Sequence, residues 1–173
     1  NCLIPVICVA ASQITGHKMF IVAFLATVAE NIADSSASAV GVLSKKPPID
    51  ITSLRPVERG ISGGVSFPGT LTAFLVCLYS GFIYYLIYEH SPKNVFIVII
   101  SSFSAVILDS ILGSRIQACY RCPVCNKPTE KLIHCGEKTN LIKGYRPIDN
   151  SLINFICVLF TFVISIIIYI NLS

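Results

Sequence analysis

Two long apolar segments without a charged residue limit what this chain can fold into. Thr70 to Tyr88 is a run of 19 residues with no charge and no proline, and Asn150 to Ser173 contains no charged residue at all. At 1.5 Å per residue, such a helix spans about 28 Å, close to the hydrocarbon thickness of a bilayer. Backbone polar groups must be satisfied inside lipid, so we predict that both segments are transmembrane helices.

Composition supports the same class. Charged residues make up 13% of the chain and the mean hydropathy is +0.75, whereas soluble domains carry about 25% charged residues. This excludes a disordered tail, a nucleic-acid-binding arm and an ordinary water-soluble enzyme. Three further segments are candidate helices: 94–114, 19–43 and the short, proline-containing 3–14. We predict an all-α polytopic membrane protein with about five transmembrane helices, forming a single domain over 1–173.

The basic residues are distributed unevenly between the predicted connections. Eleven of the 13 lysines and arginines lie in loops 44–69 and 115–148, and the opposite side holds only Lys18 and Lys93. By the positive-inside rule, both long loops are predicted to be cytoplasmic. The net charge of +4 then reflects orientation and contact with lipid headgroups, and no nucleic-acid partner is expected. Because the chain starts at Asn1, beside an apolar run, we expect it to be the C-terminal part of a longer membrane protein.

Segment 19–43 carries charge where a membrane helix normally has none. Glu30 and Asp34 are four residues apart and share one helical face, which Ser38 continues. A carboxylate at the centre of a membrane helix costs about 2.5–3.5 kcal/mol on an insertion scale. This helix is therefore expected to face protein or a water-filled cleft. Its many small residues also fit a second interpretation, a tightly packed helix with satisfied polar groups.

Asp109 is a second acidic residue at a similar depth. It lies near the end of segment 94–114 that leads into loop 115–148, and Asp34 lies in the half of its helix that leads into loop 44–69. Two carboxylates on the same side can hold Mg²⁺ and, through it, substrate phosphates. The alternative is that each carboxylate pairs separately with a lysine or arginine of the loops.

Loop 44–69 is rich in glycine between residues 60 and 69. Glycines such as Gly63 and Gly64, next to Ser66, allow backbone N–H groups to converge on an anion, and the following helix adds its N-terminal dipole. Basic residues available as counter-charges in this loop are Lys45, Lys46, Arg55 and Arg59. No Gly-Lys-Ser/Thr follows, so the loop is not a P-loop.

Loop 115–148 contains a cluster of potential soft metal ligands, with the spacing C-x2-C-x2-C-x8-H-C. Its members are Cys119, Cys122, Cys125, His134 and Cys135. In a reducing compartment a disulfide is not expected, so a structural Zn²⁺ site is one interpretation. Free thiols packed in the loop and a redox role are the others. The remaining four cysteines lie in apolar segments and behave as small hydrophobic residues.

Three ordered motifs resemble one known family. Residues 29–41 are similar to its Ala-Asp-Thr-x-x-Ser-Glu-x-Gly stretch, residues 60–70 to its Gly-x-x-Gly-Gly-Val loop, and residues 109–117 to its Asp-Ser-x-Leu-Gly element, which ends in Gln117. This is the domain of unknown function 92 family, and the resemblance covers nearly the whole chain. Two positions differ, since Ala39 replaces the family's Glu and Ser35 its Thr.

The resemblance implies a function. The family includes a plant phytyl-phosphate kinase, so we expect phosphate transfer from CTP or ATP to an isoprenoid monophosphate, with Mg²⁺ held by the two aspartates. The candidate catalytic residues are Asp34, Asp109, Ser38 and Gln117. The candidate phosphate-binding residues are Lys46, Arg55, Arg59, Gly63, Gly64, Ser66 and Asn150. A carrier that uses the intramembrane acidic residues and a non-catalytic scaffold with a zinc-stabilised loop are the alternatives.

Overall fold

The computed structural model describes residues 2–172 and has a bundle of helices as its main element. The helices are α1 (Leu3–Thr15), α2 (Met19–Val42), α3 (Phe67–Ile87), α4 (Pro92–Arg115) and α5 (Asn150–Leu172). Helices α2 to α5 are long and apolar enough to cross a membrane, and α1 is shorter. The predicted polytopic helical fold is confirmed. Ser173, the last residue of the predicted fifth helix, lies outside the described residues.

Helices α3 and α4 begin earlier than predicted, at residues 67 and 92 instead of 70 and 94. Each has a proline in its first turn, where the missing N–H costs nothing. Each is also capped by a serine: Ser66 accepts a hydrogen bond from the Gly69 N–H (3.3 Å), and Ser91 accepts one from the Asn94 N–H (3.4 Å). The prolines thus mark the start of these helices and do not interrupt them.

Helix α2 is the centre of the bundle, since it packs against each of the other four helices. Ala23, Ala26, Ala29 and Ala33 are fully buried along it, and such small side chains allow neighbouring helices to approach closely. The outer faces of α3 and α5 expose large apolar side chains instead. The close packing expected of segment 19–43 is confirmed, but its polar groups are not all satisfied, because Glu30 Oε2 has no hydrogen-bond partner among the described residues.

The two long connections lie at the same end of the bundle. Ser62, between α2 and α3, donates a backbone hydrogen bond to Glu130 Oε1 (3.0 Å), between α4 and α5. At the opposite end, Lys18 and Glu89 form a salt bridge (2.8 Å) that joins the start of α2 to the connection after α3. The predicted arrangement of the loops on one side is confirmed, and which side of the membrane that is stays a prediction.

Both connections contain short strands that the sequence analysis did not predict. The connection 44–66, here called the Gly-rich segment, pairs β1 (Ile49–Asp50) with β2 (Gly64–Val65). The connection 116–149, here called the Cys-rich segment, forms a three-stranded antiparallel sheet of order β4-β3-β7 and a hairpin of β5 and β6. Its strands are β3 (Cys119–Arg121), β4 (Pro128–Thr129), β5 (Ile133–His134), β6 (Glu137–Lys138) and β7 (Asn140–Lys143).

Candidate functional site

A cavity of about 450 Å³ lies where α2, α4 and the start of α3 meet the two connecting segments. Asp34 of α2 and Asp109 of α4 both line it, so the expectation that two acidic residues converge from different helices is confirmed. No basic side chain among residues 2–172 forms an ion pair with either carboxylate. The alternative of separate pairing with loop lysines or arginines is therefore not supported.

Further oxygen-bearing side chains line the same cavity, among them Ser38 and Ser110. Glu130, from the Cys-rich segment, also lines it and accepts hydrogen bonds from Ser62. With its amide nitrogen facing α4, Asn154 of α5 donates to Asp109 Oδ2 (3.1 Å) and so orients that carboxylate. Neither Glu130 nor Asn154 belongs to a recognisable motif, so their place at the cavity is not predictable from the sequence.

The glycine-rich motif packs directly against the end of α4. Gly63 has a φ of +85°, and a β-carbon there would lie 2.4 Å from Ser114 Cα. A β-carbon on Gly113 would in turn lie 3.0 Å from the Gly63 nitrogen. Two of the three motifs thus contact each other, and the glycine at position 63 is required by this close approach.

The backbone N–H groups of this motif are partly used within the protein, and the expectation that those around Gly63 and Gly64 bind phosphate stays a prediction. The Gly64 N–H donates to the Ile61 carbonyl (3.2 Å), and the Ser62 N–H donates to Glu130. Gly63 and Gly64 still line the cavity, as does the first turn of α3 with Ser66 and Thr70. The N-terminus of α3 is therefore the anion-attracting element of the site.

Asp50 fixes the Gly-rich segment to α4. Its Oδ2 accepts a hydrogen bond from Ser114 Oγ (2.7 Å), and its Oδ1 accepts from the backbone N–H groups of Thr52 (3.0 Å) and Ser53 (2.7 Å). Burial alone would raise the pKa of Asp50, but these hydrogen bonds outweigh it and hold that pKa well below its usual range. No sequence motif indicated this contact.

The structure places the remaining predicted phosphate ligands differently. Arg59 and Asn150 line the cavity, and the Arg59 guanidinium donates to the Lys45 carbonyl (3.0 Å). Lys46 and Arg55 are exposed and do not line it. Arg55 ends a turn that follows β1, where its carbonyl accepts a hydrogen bond from the Asp50 N–H (2.9 Å).

Gln117 also lies outside the cavity, which corrects its predicted catalytic role. Helix α4 ends at Arg115, and the chain turns into β3 directly after Gln117. The side chain is buried, at 2% exposure, and neither of its amide atoms has a hydrogen-bond partner among the described residues. It therefore belongs to the junction between the bundle and the Cys-rich segment.

Four of the five predicted metal ligands come together in the Cys-rich segment: Cys122, Cys125, His134 and Cys135 have ligand atoms within 4.8 Å of one another. Cys119 is not part of the cluster, since it is buried in β3 with its thiol directed at the Tyr120 carbonyl (3.9 Å). Backbone hydrogen bonds, first from Cys125, lower the pKa of Cys122 to about 6. A hydrogen bond shared with Cys125 raises the pKa of Cys135 to about 11.

Fold and site together define a polytopic helical membrane protein with an acidic cavity at one end of its bundle. The model of the family described as integral membrane protein DUF92 matches residues 1–162. The chain belongs to this family, as the three motifs predicted.

Relatives of this chain occur in a plant, a cyanobacterium and an archaeon. Protein PGR of Arabidopsis thaliana is 33% identical over 74% of this chain and 47% of its own length. An uncharacterised membrane protein of Synechocystis is 32% identical over 54% of the chain and 36% of its own length. One of Methanocaldococcus jannaschii is 27% identical over 68% and 48%. The chain thus spans half or less of the curated relatives it matches, and no solved structure matches it.

Proposed function

We propose that this protein is a membrane kinase that transfers a phosphate from CTP or ATP to an isoprenoid monophosphate at the cytoplasmic face of the membrane. One observation carries the proposal: a single cavity combines carboxylates from α2 and α4, the N-terminus of α3 and an apolar wall. Phosphoryl transfer depends on positioning and on charge neutralisation, and this cavity has groups for both. The isoprenoid acceptor is taken from the family resemblance.

The donor set of the cavity suits Mg²⁺, which prefers carboxylate and other hard oxygen ligands. Asp34 and Asp109 would hold the ion, and Glu130 is a third carboxylate on the same cavity. Asn154 supports this assignment, since its hydrogen bond fixes the orientation of Asp109. When bound, Mg²⁺ would neutralise charge on the nucleotide phosphates.

The phosphate groups would lie at the first turn of α3. Its N-terminal dipole and Arg59 are the positively polarised elements on the cavity. Acidic groups and anion-attracting groups thus line the same cavity. A phosphate with a bound metal ion carries both charges, so it suits this cavity better than a free phosphate or a free metal ion.

The lipid would reach the cavity from the membrane side. Phe103, Val106 and Ile107 line the cavity on α4, and they precede Asp109 on a helix that runs towards the connecting segments. They are therefore deeper in the bundle than the carboxylate. An isoprenoid tail beside these side chains would place its phosphate next to Asp109.

The reaction needs no strong general base in this arrangement. An oxygen of the acceptor monophosphate attacks the γ-phosphorus, the new P–O bond forms, and the bond to the β-phosphate oxygen breaks. The products are an isoprenoid diphosphate and a nucleoside diphosphate. Because the attacking oxygen is already largely ionised, the side chains have to orient it and screen the negative charge.

The proposal is tested with the full-length protein in liposomes, Mg²⁺, labelled CTP or ATP and a panel of isoprenyl monophosphates. Isoprenyl alcohols of the same length are the matched acceptors without a phosphate. Diphosphate product from the monophosphates alone supports the proposal. No product with any donor, from protein shown to be folded, contradicts it.

Glu30 favours a second candidate, a carrier. It lies one turn before Asp34 on α2, is 2% exposed, and its Oε2 has no hydrogen-bond partner among residues 2–172. Acidic residues inside the membrane often mark ion or substrate paths. Solute or proton flux through protein-containing vesicles that is abolished in Glu30→Gln, without any phosphate transfer, would favour this function.

A further inference from the structure

The Cys-rich segment holds a second cluster of ligating groups that is separate from the acidic cavity. His134 Nδ1 lies 3.5 Å from Cys125 Sγ and 3.2 Å from Cys135 Sγ. All four ligand atoms, including Cys122 Sγ, lie within 4.8 Å of one another. In a tetrahedral zinc site with bonds of about 2.0–2.3 Å, neighbouring ligand atoms are separated by roughly 3.5–3.8 Å. The two distances from His134 are near this spacing, and all four atoms lie close enough together to converge on one ion.

The four ligands lie in two separate turns. Cys122 and Cys125 lie in the turn between β3 and β4, and His134 and Cys135 lie where β5 passes into the turn to β6. Residues with positive φ shape both turns: Asn126 (58°) directly after the first pair and Cys135 (53°) within the second. The Cys122 sulfur also lies 3.6 Å from the His134 carbonyl oxygen, which places the first turn directly against the second.

We propose that Cys122 Sγ, Cys125 Sγ, His134 Nδ1 and Cys135 Sγ bind one structural Zn²⁺. Three thiolates and one imidazole match the preference of zinc for sulfur and nitrogen ligands in a closed tetrahedral site. Since all four positions would be filled by protein, the ion would have no open position for substrate. The site would serve the fold of the segment and not the chemistry of the cavity.

Several apolar side chains around the cluster are poorly buried. Val124, Leu132 and Ile133 are 62%, 65% and 61% exposed, whereas Tyr120 of β3 is buried. Small elements with little buried apolar surface often depend on a disulfide or a metal. The cysteines among the described residues are free thiols, so the three thiols of the cluster are available as metal ligands.

The position of the ion has a consequence for the cavity. Glu130 lies between the two ligand pairs and receives hydrogen bonds from the Ser62 N–H (3.0 Å) and hydroxyl (2.5 Å). Zn²⁺ would therefore hold Glu130 at the cavity edge by fixing the strands on both sides of it. The zinc site is inferred from its ligands alone, so its test does not depend on the proposed kinase activity.

The test is the metal content of the full chain, purified in detergent from cells supplied with zinc. We expect about one Zn²⁺ per chain. Loss of an outer-shell partner already costs roughly 10–100-fold in metal affinity, so Cys125→Ser and Cys135→Ser should weaken zinc affinity at least about tenfold, measured by competition with a chelator. Cys119→Ser removes a nearby thiol outside the cluster and should retain the zinc. His134→Cys should also retain it, because a thiolate can replace the imidazole.

Cobalt substitution gives an independent measurement that does not depend on the variants. The Co²⁺-loaded wild-type chain should show the visible absorption and thiolate charge-transfer bands of a tetrahedral site, and zinc should displace them. A wild-type chain without bound metal, a Cys122–Cys125 disulfide in the isolated protein, or equal zinc loss in Cys119→Ser and Cys125→Ser would each overturn the proposal.

Discussion

The Gly-rich segment and the Cys-rich segment lie side by side at one end of the bundle, yet they are held in place by different means. The Gly-rich segment is fixed to α4 by Asp50, which accepts from Ser114, and by the close approach of Gly63. The Cys-rich segment leaves several of its apolar side chains exposed and gathers its turns around four potential metal ligands. One segment is fixed by its contacts with the membrane bundle, whereas we propose that the other is held by a bound metal ion.

Metal removal should produce the largest difference in amide exchange between the two segments. If zinc holds the Cys-rich segment, chelation should make its amides at 119–143 exchange at least about 100-fold faster, because its folding free energy depends on the ion. The amides at 49–57, fixed by hydrogen bonds to α4, should change by less than about threefold. Hydrogen exchange measured by mass spectrometry before and after chelation checks this. Equal acceleration in both segments would contradict the comparison.

Gly63→Ala tests the packing of the Gly-rich segment. The positive φ and the clash with Ser114 should together lower the free energy of unfolding by about 3 kcal/mol or more. Gly60→Ala is the matched control, since Gly60 has a φ of +81° but nothing within 4 Å of the added carbon. It should cost only about 1 kcal/mol. Thermal unfolding in detergent measures both, and equal effects would show that the contact with Ser114 does not matter.

Asp50 should make the stability of the protein depend on pH. Its folded-state pKa is depressed by hydrogen bonds, so its contribution is fully present above the unfolded pKa of about 4 and is lost as the pH falls below it. Asp50→Asn should therefore destabilise by about 2 kcal/mol at neutral pH, and the difference from wild type should shrink in acid. Unfolding of both proteins from neutral to acidic pH tests this, with Glu58→Gln as an exposed control in the same segment.

Glu130→Gln should have a smaller effect that reports on the contact between the segments. Glutamine can still accept from Ser62 but removes a negative charge from the cavity edge. If Glu130 supports the metal at the cavity, phosphate transfer should fall about tenfold, with the zinc content unchanged. Glu137→Gln, on β6 and exposed, is the control. A parallel loss of zinc in Glu130→Gln would show that the residue acts through the fold of the segment.

The sequence was sufficient for the features that depend on local pattern. Apolar runs of bilayer length predicted the four long helices, and the alternation of loops predicted that Asp34 and Asp109 lie at the same end. The spacing of cysteine and histidine predicted a cluster, and four of its five members come together, while metal binding stays a prediction. Local capping by Ser66 and Ser91 explains the remaining errors at the helix starts.

The features that were missed depend on contacts between distant segments. Asp50, Glu130 and Asn154 act through partners 64, 68 and 45 residues away, on other elements of the fold. The composition of the glycine-rich motif allows converging N–H groups, so the sequence alone favours an anion-binding role. Its packing on α4 and its internal hydrogen bonds became visible only in three dimensions.

We propose that the cavity between α2 and α4 binds the reacting phosphates through its two aspartates. Isoprenyl diphosphate formation by the full-length protein in liposomes should therefore fall at least about 100-fold in Asp34→Asn, as expected when an electrostatic contact to the transferred group is lost. Glu58→Gln, a carboxylate outside the cavity, should retain full activity. Equal activity of Asp34→Asn and wild type, with both proteins folded, would contradict the claim.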